Sequence, residues 1–387
     1  MAAGKLNTPQ ALRAALIFEA HYIKEVRLMQ IVTLIVMLLL LLATASYGEA
    51  VFEDVHVVPM PLAEWGYRGM NGDILELKDG ALVYCYTRNG IVARTSEDKG
   101  RTWSEEFVLV PNPGPPSTQG YYCHPSFLRL PNGEILLSYI YVAATTPYFE
   151  NNYYKRSNDE GQTWSEQFVV TPYPGCTEVH NDKLRLLSTG RILAPAAHKK
   201  HRPGEADHSD YVSLMFYSDT NGYSWLVANN DIDMLPVEAQ EPHVVELKDG
   251  RVMLICRNYS GYVGRAYSED QGETWSDGEL CKDLPLPPNT SAVTVDRIPS
   301  TGDLLLIRCS GGDGTDYGRR TPFVATISKD EGQTWINERV IAGDLDDDYG
   351  YQSVTFVDDV ALISYHKRDG LWVARIGLDW FYQQDGD

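Results

Sequence analysis

Short apolar runs recur along the chain in one setting. LKDGALVYCY from Leu77, LPNGEILLSY from Leu130, LSTGRILAPA from Leu187, LKDGRVMLIC from Leu247 and PSTGDLLLIR from Pro299 each place a Gly turn directly before an apolar strand. VDDVALISYH from Val357 repeats the pattern without the Gly. Each run follows a short strand-like segment, and the first five lead into another strand and then a fixed polar octet. The octet reads SEDKGRTW at Ser96, SNDEGQTW at Ser157, SEDQGETW at Ser268 and SKDEGQTW at Ser328; SDTNGYSW at Ser218 is a blurred copy with Thr220 in place of the aspartate. Successive octets start 50 to 61 residues apart, the length of a multi-stranded repeat unit.

The octet has the chemistry of a tight turn. Asp accepts hydrogen bonds from backbone N–H groups one or two residues on, Gly supplies a positive φ, and Trp opens the next strand as an apolar anchor. An acid and a hydroxyl in every copy suggest calcium or catalysis, but fivefold repetition argues for a structural role. The unit is therefore strand, Gly turn, strand, loop, strand, octet, strand. Six such units fill Val51–Asp387, which predicts an all-β chain folded as a six-bladed β-propeller of four-stranded antiparallel blades. The sixth unit lacks an octet, so its outermost strand is expected from residues 51–59 (VFEDVHVVP), closing the ring between the two chain ends. PNPGPPSTQG, residues 111–120, reads as an interblade loop.

Composition adds limits. The 387 residues carry a formal charge of −20 and are 43% hydrophobic, enough for a packed core and unfavourable for nucleic acid or an anionic membrane surface as partner. Residues 1–50 read as a leader. Positions 31–45 (IVTLIVMLLLLLATA) follow Lys24 and Arg27 and end in Ala43-Thr44-Ala45, which suits a signal peptide directing export, with a retained N-terminal membrane anchor as the alternative. Six cysteines allow up to three disulfides, but Cys85, Cys256 and Cys309 sit inside apolar strand-like runs where a buried free thiol is the simpler reading.

In a propeller the first strand of each blade lines the central channel. The residues nine to twelve positions before each Gly turn are Arg68 with Asn71, His124, His180 with Asn181 and Asp182, Glu241 with His243, residues 289–291, and Tyr351 with Gln352. So many polar groups point to a ligand at one mouth. The segment AAHKKHRPGEADHSD holds His198, His201 and His208 with Asp207 and Asp210; the spacing fits no zinc pattern, and a solvated substrate-contacting loop is expected.

The octets resemble the Asp boxes, or BNR repeats, of the sialidase superfamily, and the resemblance covers nearly all of Val51–Asp387. It implies a carboxylate clamp of three arginines, a tyrosine nucleophile activated by a glutamate, and an aspartic acid as proton donor. The electrostatics are sound, because sialic acid carries its carboxylate on the anomeric carbon and would repel a carboxylate nucleophile. Guanidinium groups suit that carboxylate.

YRGMNGDILEL is similar to the family's first-blade segment at Tyr67 and Arg68, with Gly69 and Met70 replacing Ile-Pro. QEPHVVELKDGRVMLICRN implies Glu241 as activator and Arg257 as second arginine. RRTPFVATISKDEGQTW implies Arg320, with Arg319 as substitute, and GYQSV implies Tyr351 as nucleophile. Two departures stand out. The connection that carries the family's acid is only TRNG, residues 87–90, and His366 occupies the place of a family glutamate. Asp182 and His124 are the candidates for the missing acid, and His180, Asn181 and His243 for substrate contacts.

The expectation is an exported exo-glycosidase hydrolysing a terminal acidic sugar of sialic acid type, without cofactor or metal. Two alternatives remain open at this level: a uronate polysaccharide lyase using the axial histidines, and a carbohydrate-binding propeller without catalysis.

Overall fold

The apolar runs behind the Gly turns become the second strand of each sheet, buried along its whole length. That is why they read as continuous apolar stretches rather than alternating ones: neighbouring blades cover both faces. In the computed structural model, residues 13, 51–60, 70–144, 150–170, 175–200, 210–287, 291–312 and 319–383 are described. The remainder of the leader, including residues 31–45, lies outside the described residues, as do Tyr67, Arg68, Asn289, His201, Asp207 and His208.

The strands are numbered in chain order, and the first of them belongs to the last blade. We number that first strand, Phe52–Pro59, as β1; blade one is then β2 (Asp73–Glu76), β3 (Leu82–Thr87), β4 (Gly90–Ser96) and β5 (Phe107–Pro111). Blade two is β6 (Tyr121–Arg129), β7 (Ile135–Val142), β8 (Glu150–Ser157) and β9 (Phe168–Val169). In blade three the innermost strand is split into β10 (Thr177–Glu178) and β11 (Arg185–Leu186), both paired with β12 (Ile192–Lys200), which leads to β13 (Asp210–Ser218) and β14 (Leu226–Val227). Blade four is β15 (Gln240–Glu246), β16 (Val252–Arg257), β17 (Tyr262–Ser268) and β18 (Glu279–Pro285); blade five is β19 (Thr294–Arg297), β20 (Leu304–Cys309), β21 (Phe323–Ser328) and β22 (Ile336–Ala342). Blade six is β23 (Gly350–Val357), β24 (Val360–Lys367) and β25 (Gly370–Gly377), with β1 as its outermost strand. The expected closure is thus present: β1 runs antiparallel to β25 from Phe52 opposite Ile376 to Pro59 opposite Gly370.

The core lies between blades. One cluster joins Val58, Leu371 and Leu362 of blade six to Leu82 and Tyr84 of blade one; another joins Leu193 and Met215 of blade three to Leu254 and Ala266 of blade four. Stacked sheets bury both faces of each second strand in this way. All six cysteines are buried free thiols.

The octets are turns between the third and fourth strands, but their bonding differs from the expected one. In the first copy Asp98 accepts from the Thr102 backbone N–H four residues on (2.8 Å) and from the Thr102 hydroxyl (2.6 Å), while Ser96 donates to Asp98 and accepts from Gly100 N–H (2.8 Å). Trp103 does not open the next strand. Its indole N–H folds back onto Gly100 O at 3.1 Å and its ring packs edge-on to Tyr84. Both Lys99 and Gly100 have positive φ, 59° and 86°, so only the second position is held by glycine.

Three innermost strands carry a bulge at the channel end, in blades two, four and six. The ladder skips between Cys123 and Ser126, between Gln240 and His243, and between Gly350 and Ser353. In each, the first skipped residue has left-handed backbone: His124 (53°), Glu241 (46°) and Tyr351 (50°). A bulge re-aims a side chain that would otherwise follow the strand's alternation.

Candidate functional site

The three re-aimed side chains meet. The Tyr351 hydroxyl donates to Glu241 Oε1 at 3.1 Å, and Arg257 Nη2 lies 3.1 Å from the same oxygen. The His124 ring stands 5.6 Å from the Tyr351 ring and edge-on to His180 at 4.5 Å. His180 Nε2 is 3.3 Å from Glu241 Oε1 and 3.3 Å from Glu178 Oε2. Left-handed backbone is costly for large residues and persists where surrounding bonds over-determine it. Hydrogen bonds to the bulged backbone supply that restraint. Asn71 and Asn181 both donate side-chain amide hydrogens to Tyr351 O, at 2.6 and 2.9 Å, and His124 N–H donates to Thr87 Oγ1 at 3.2 Å.

Arg257 is fixed by Gln240, whose Oε1 accepts from Nε at 3.0 Å and from Nη2 at 2.8 Å. Arg320 is buried beside Gly350. A side chain placed on Gly350 would meet His366 Cε1 at 3.5 Å, Ser291 Oγ at 3.7 Å and Arg320 Nη1 at 3.9 Å. Arg257 therefore lies against Glu241, and Arg320 lies beside Gly350, the chain neighbour of Tyr351. Arg319, the expected substitute, is instead half-exposed and paired with Asp346 at 2.8 Å. Arg68 lies outside the described residues. His366, at the place of a family glutamate, is 3.6 Å from Asp348 Oδ2.

Three expected site residues serve the floor below instead. Asp182 receives Arg185 Nη1 at 2.9 Å and the Val354 N–H at 3.0 Å, and Arg185 Nη2 lies 2.9 Å from His243 Nε2. Burial pushes the Asp182 carboxyl up, but Arg185 and His243 outweigh it and bring it to about 2. A carboxyl held that low is a poor proton donor near neutral pH. Its neighbour Asp73 goes the other way, raised by burial and by the Asp182 charge. His243 is fully buried and held down at about 3 by burial and by Arg185. Asn181 ties Gly72 O and Tyr351 O together. It braces the site rather than facing a ligand.

Burial also drives His124 and His180 well below the usual histidine value; for His124 the neighbouring His180 adds to this, and for His180 the Arg257 charge does. Both are neutral near pH 7, so neither holds an imidazolium proton. The hairpin between β3 and β4 is as tight as its sequence implies, turning at Arg88 and Asn89; the turn itself carries no carboxylate, and Arg88 Nη1 lies 3.5 Å from Glu106 Oε2. A cavity of about 310 Å³ opens beside it, lined by Thr87, Asn89, Tyr121 and Tyr122 among others.

The main cavity, of about 400 Å³, lies over blades two, three and four; His124, Glu241, Arg257, Glu178, Glu150 and Tyr211 are among its walls. Glu150, Glu178, Lys199 and Tyr211 were not legible as site residues. Glu178 carried one signal, standing two residues before His180 and so on the same face of a strand. Glu150, from blade two, carried none. The segment expected to be a solvated loop is partly ladder: β12 and β13 pair from Ile192 opposite Ser218 to Lys200 opposite Asp210, and the His198 ring contacts Thr177 Oγ1 at 3.0 Å. Among the described residues no group of three or more His, Cys, Asp or Glu side chains could hold a metal ion, and no helix is long and apolar enough to cross a membrane.

Residues 87–363 match the BNR repeat-like domain. A sialidase of Micromonospora viridifaciens is 26% identical over 343 residues, 80% of this chain and 50% of that protein, so the chain spans half the length of this curated relative. Among solved structures, a Hadza microbial sialidase superposes with a TM-score of 0.65 at 17% identity, over 80% of this chain and 66% of that one. A Dyadobacter fermentans protein of unknown function superposes at 0.64 with 18% identity, over 84% and 98% of the two chains. These superpositions speak to the fold. With the match over residues 87–363, the octets and the six-bladed ring, the chain belongs to the BNR repeat-like family of the sialidase superfamily.

Proposed function

We propose that this chain is an exo-acting glycoside hydrolase of sialidase type, releasing a terminal sugar that carries a carboxylate on its anomeric carbon, with retention through a tyrosyl intermediate. The observation that carries the reading is the hydrogen bond from the Tyr351 hydroxyl to Glu241 Oε1. A phenol attacks only as its proton leaves, and a buried carboxylate at hydrogen-bond distance is a base in place. Arg257 and Arg320 supply the positive charge that an anionic sugar needs on a protein whose overall charge is −20. The cavity of about 400 Å³ suits one sugar ring with its substituents. Export belongs to the same proposal and rests on residues 31–45; sequencing the N-terminus of protein recovered outside the cytoplasm tests it.

A second reading, elimination from a uronate, is favoured by one observation: His124 and His180 are neutral beside Tyr351 and can accept a proton. Its product would absorb in the ultraviolet, and a hydrolysis product would not.

The test uses sialyllactose and an aryl α-sialoside with the parent chain and Tyr351→Phe. The expected result is release of free sialic acid by the parent, a loss on the order of 10³-fold or more in the variant, and binding of a sialic acid glycal unchanged within a few fold. Turnover that survives Tyr351→Phe overturns the mechanism.

A further inference from the structure

The sialidase-type reading leaves one proton unaccounted for. The leaving oxygen needs a donor, the β3–β4 hairpin carries no carboxyl group, Asp182 is ionised in the floor, and His124 is neutral. The cavity that Glu241 lines is lined also by a pair of carboxyl groups from two different blades. Glu150 begins β8, and Glu178 ends the short strand β10 beside it, where Cys176 bridges to Glu150 in parallel. Both line the cavity. Glu150 is 5% exposed, and its Oε2 has no hydrogen-bond partner among the described residues. Glu178 accepts from the Tyr211 hydroxyl at 3.2 Å through Oε1, while its Oε2 lies 3.3 Å from His180 Nε2. That same nitrogen is 3.3 Å from Glu241 Oε1, so the two carboxyl groups stand within about twice that distance. A sugar ring held against the Tyr351–Glu241 pair is therefore within reach of Glu178.

We propose that Glu178, paired with Glu150, is the proton donor to the leaving group; the proposal rests on the sialidase-type reading above. Two carboxyl groups in one dry site cannot both ionise cheaply, and one keeps its proton. Burial, the hydrogen bond with Glu150 and the Glu150 charge raise Glu178 well above the ordinary glutamate value. The charged and titratable groups facing it are Glu150 from β8, Lys199 from β12, Tyr211 from β13, His180 from the segment between β10 and β11, and Glu241 with Arg257 from blade four. Tyr121, Cys123 and Cys176 face it un-ionised, all three raised by burial.

The step balances. The Glu178 proton moves to the glycosidic oxygen as the bond from that oxygen to the anomeric carbon breaks, and the oxygen keeps the electron pair. The Tyr351 oxygen bonds to the carbon and its proton goes to Glu241. In the second half the Glu178 carboxylate takes a proton from the water that displaces Tyr351, and Glu241 returns its proton to the tyrosine.

The experiment measures kcat/KM of the parent, Glu178→Gln and Glu150→Gln on sialyllactose, whose leaving group needs protonation, and on a nitrophenyl α-sialoside, whose leaving group does not. In Glu178→Gln, kcat/KM should fall by about 10²- to 10⁴-fold on sialyllactose and stay within about tenfold on the aryl substrate, with a tyrosyl adduct accumulating in the intact mass. Retained aryl turnover also shows that the variant folds. Glu150→Gln removes a neighbour that raises Glu178, so the alkaline limb of the sialyllactose profile should move to lower pH. Equal losses on both substrates by Glu178→Gln, or an unmoved alkaline limb in Glu150→Gln, overturn the assignment of Glu178. A parent that cleaves neither substrate overturns the sialidase-type reading and this proposal with it.

Discussion

A buried charge is tolerable only where its partners are fixed, and the floor of this channel depends on one arginine. Arg185 bonds Asp182 at 2.9 Å, reaches His243 at 2.9 Å and lies 3.5 Å from Asp296. Removing it leaves the Asp182 carboxylate buried without its cation, so Arg185→Ala should cost about 3–5 kcal/mol in urea unfolding; a loss below about 1 kcal/mol would show that the floor does not need it. The pH dependence follows from the direction of the Asp182 shift. Its folded value of about 2 lies below the ordinary 3.8, so its contribution is complete above the ordinary value and is lost as pH falls toward 2. The same residues show how far sequence reasoning carries. The spacing before each Gly turn reads Asp182, His243 and Asn181 as axial, and all three are buried. Depth along the axis was not in the spacing, and it separates floor from mouth.

At the scale of the element, the five octets are one device built with two chemistries. In the fifth copy Thr220 Oγ1 takes the place of the aspartate: it accepts from Ser224 N–H at 2.8 Å and lies 2.8 Å from the Ser224 hydroxyl and 3.3 Å from the Ser218 hydroxyl. A neutral hydroxyl makes weaker bonds than a carboxylate. Thr220→Asp should therefore stabilise the fold by about 0.5–1 kcal/mol at pH 7. In Asp98, burial pushes the carboxyl up slightly, but hydrogen bonds from Thr102 and Ser96 outweigh it and hold it at about 2. By the same sign, the gain from Thr220→Asp should be present near pH 7 and vanish as pH falls toward 2. Urea unfolding at both pH values measures it; a gain that is equal at both would rule out the carboxylate as its source. The bulges are the other element-scale feature. Pro125 and Pro242 follow two of the bulged residues, but nothing local marks Tyr351 as a third.

At the largest scale the unit Val51–Asp387 works as a ring, closed by β1 against β25. The tightest point is Gly370, whose φ is +146° and where a Cβ would lie 2.0 Å from Val58 O. Gly370→Ala forces the closing strand away from its partner. It should lower the melting temperature by several degrees or more, and glycoside turnover should fall in parallel with the folded fraction. A variant as stable as the parent would mean that β1 closes the ring without that approach. Ring closure also assembles the site, because Glu178, Glu241 and Tyr351 come from blades three, four and six, and Glu150 from blade two.

The sequence by itself determined the blade count, the strand order within each blade, the octets and the closing strand, because each is written in local periodicity and in hydrogen bonds spanning a few residues. It also supplied Tyr351, Glu241, Arg257 and Arg320, through their offsets from the Gly turns and the family resemblance. The tertiary structure alone decided which axial groups face the cavity and which hold a proton. Asp182 and Glu178 are four residues apart in the chain; burial raises both, yet Arg185 and His243 outweigh it and lower the first while Glu150 adds to it and raises the second further. Protonation follows from the charges that folding brings within a few ångströms, and those charges come from other blades.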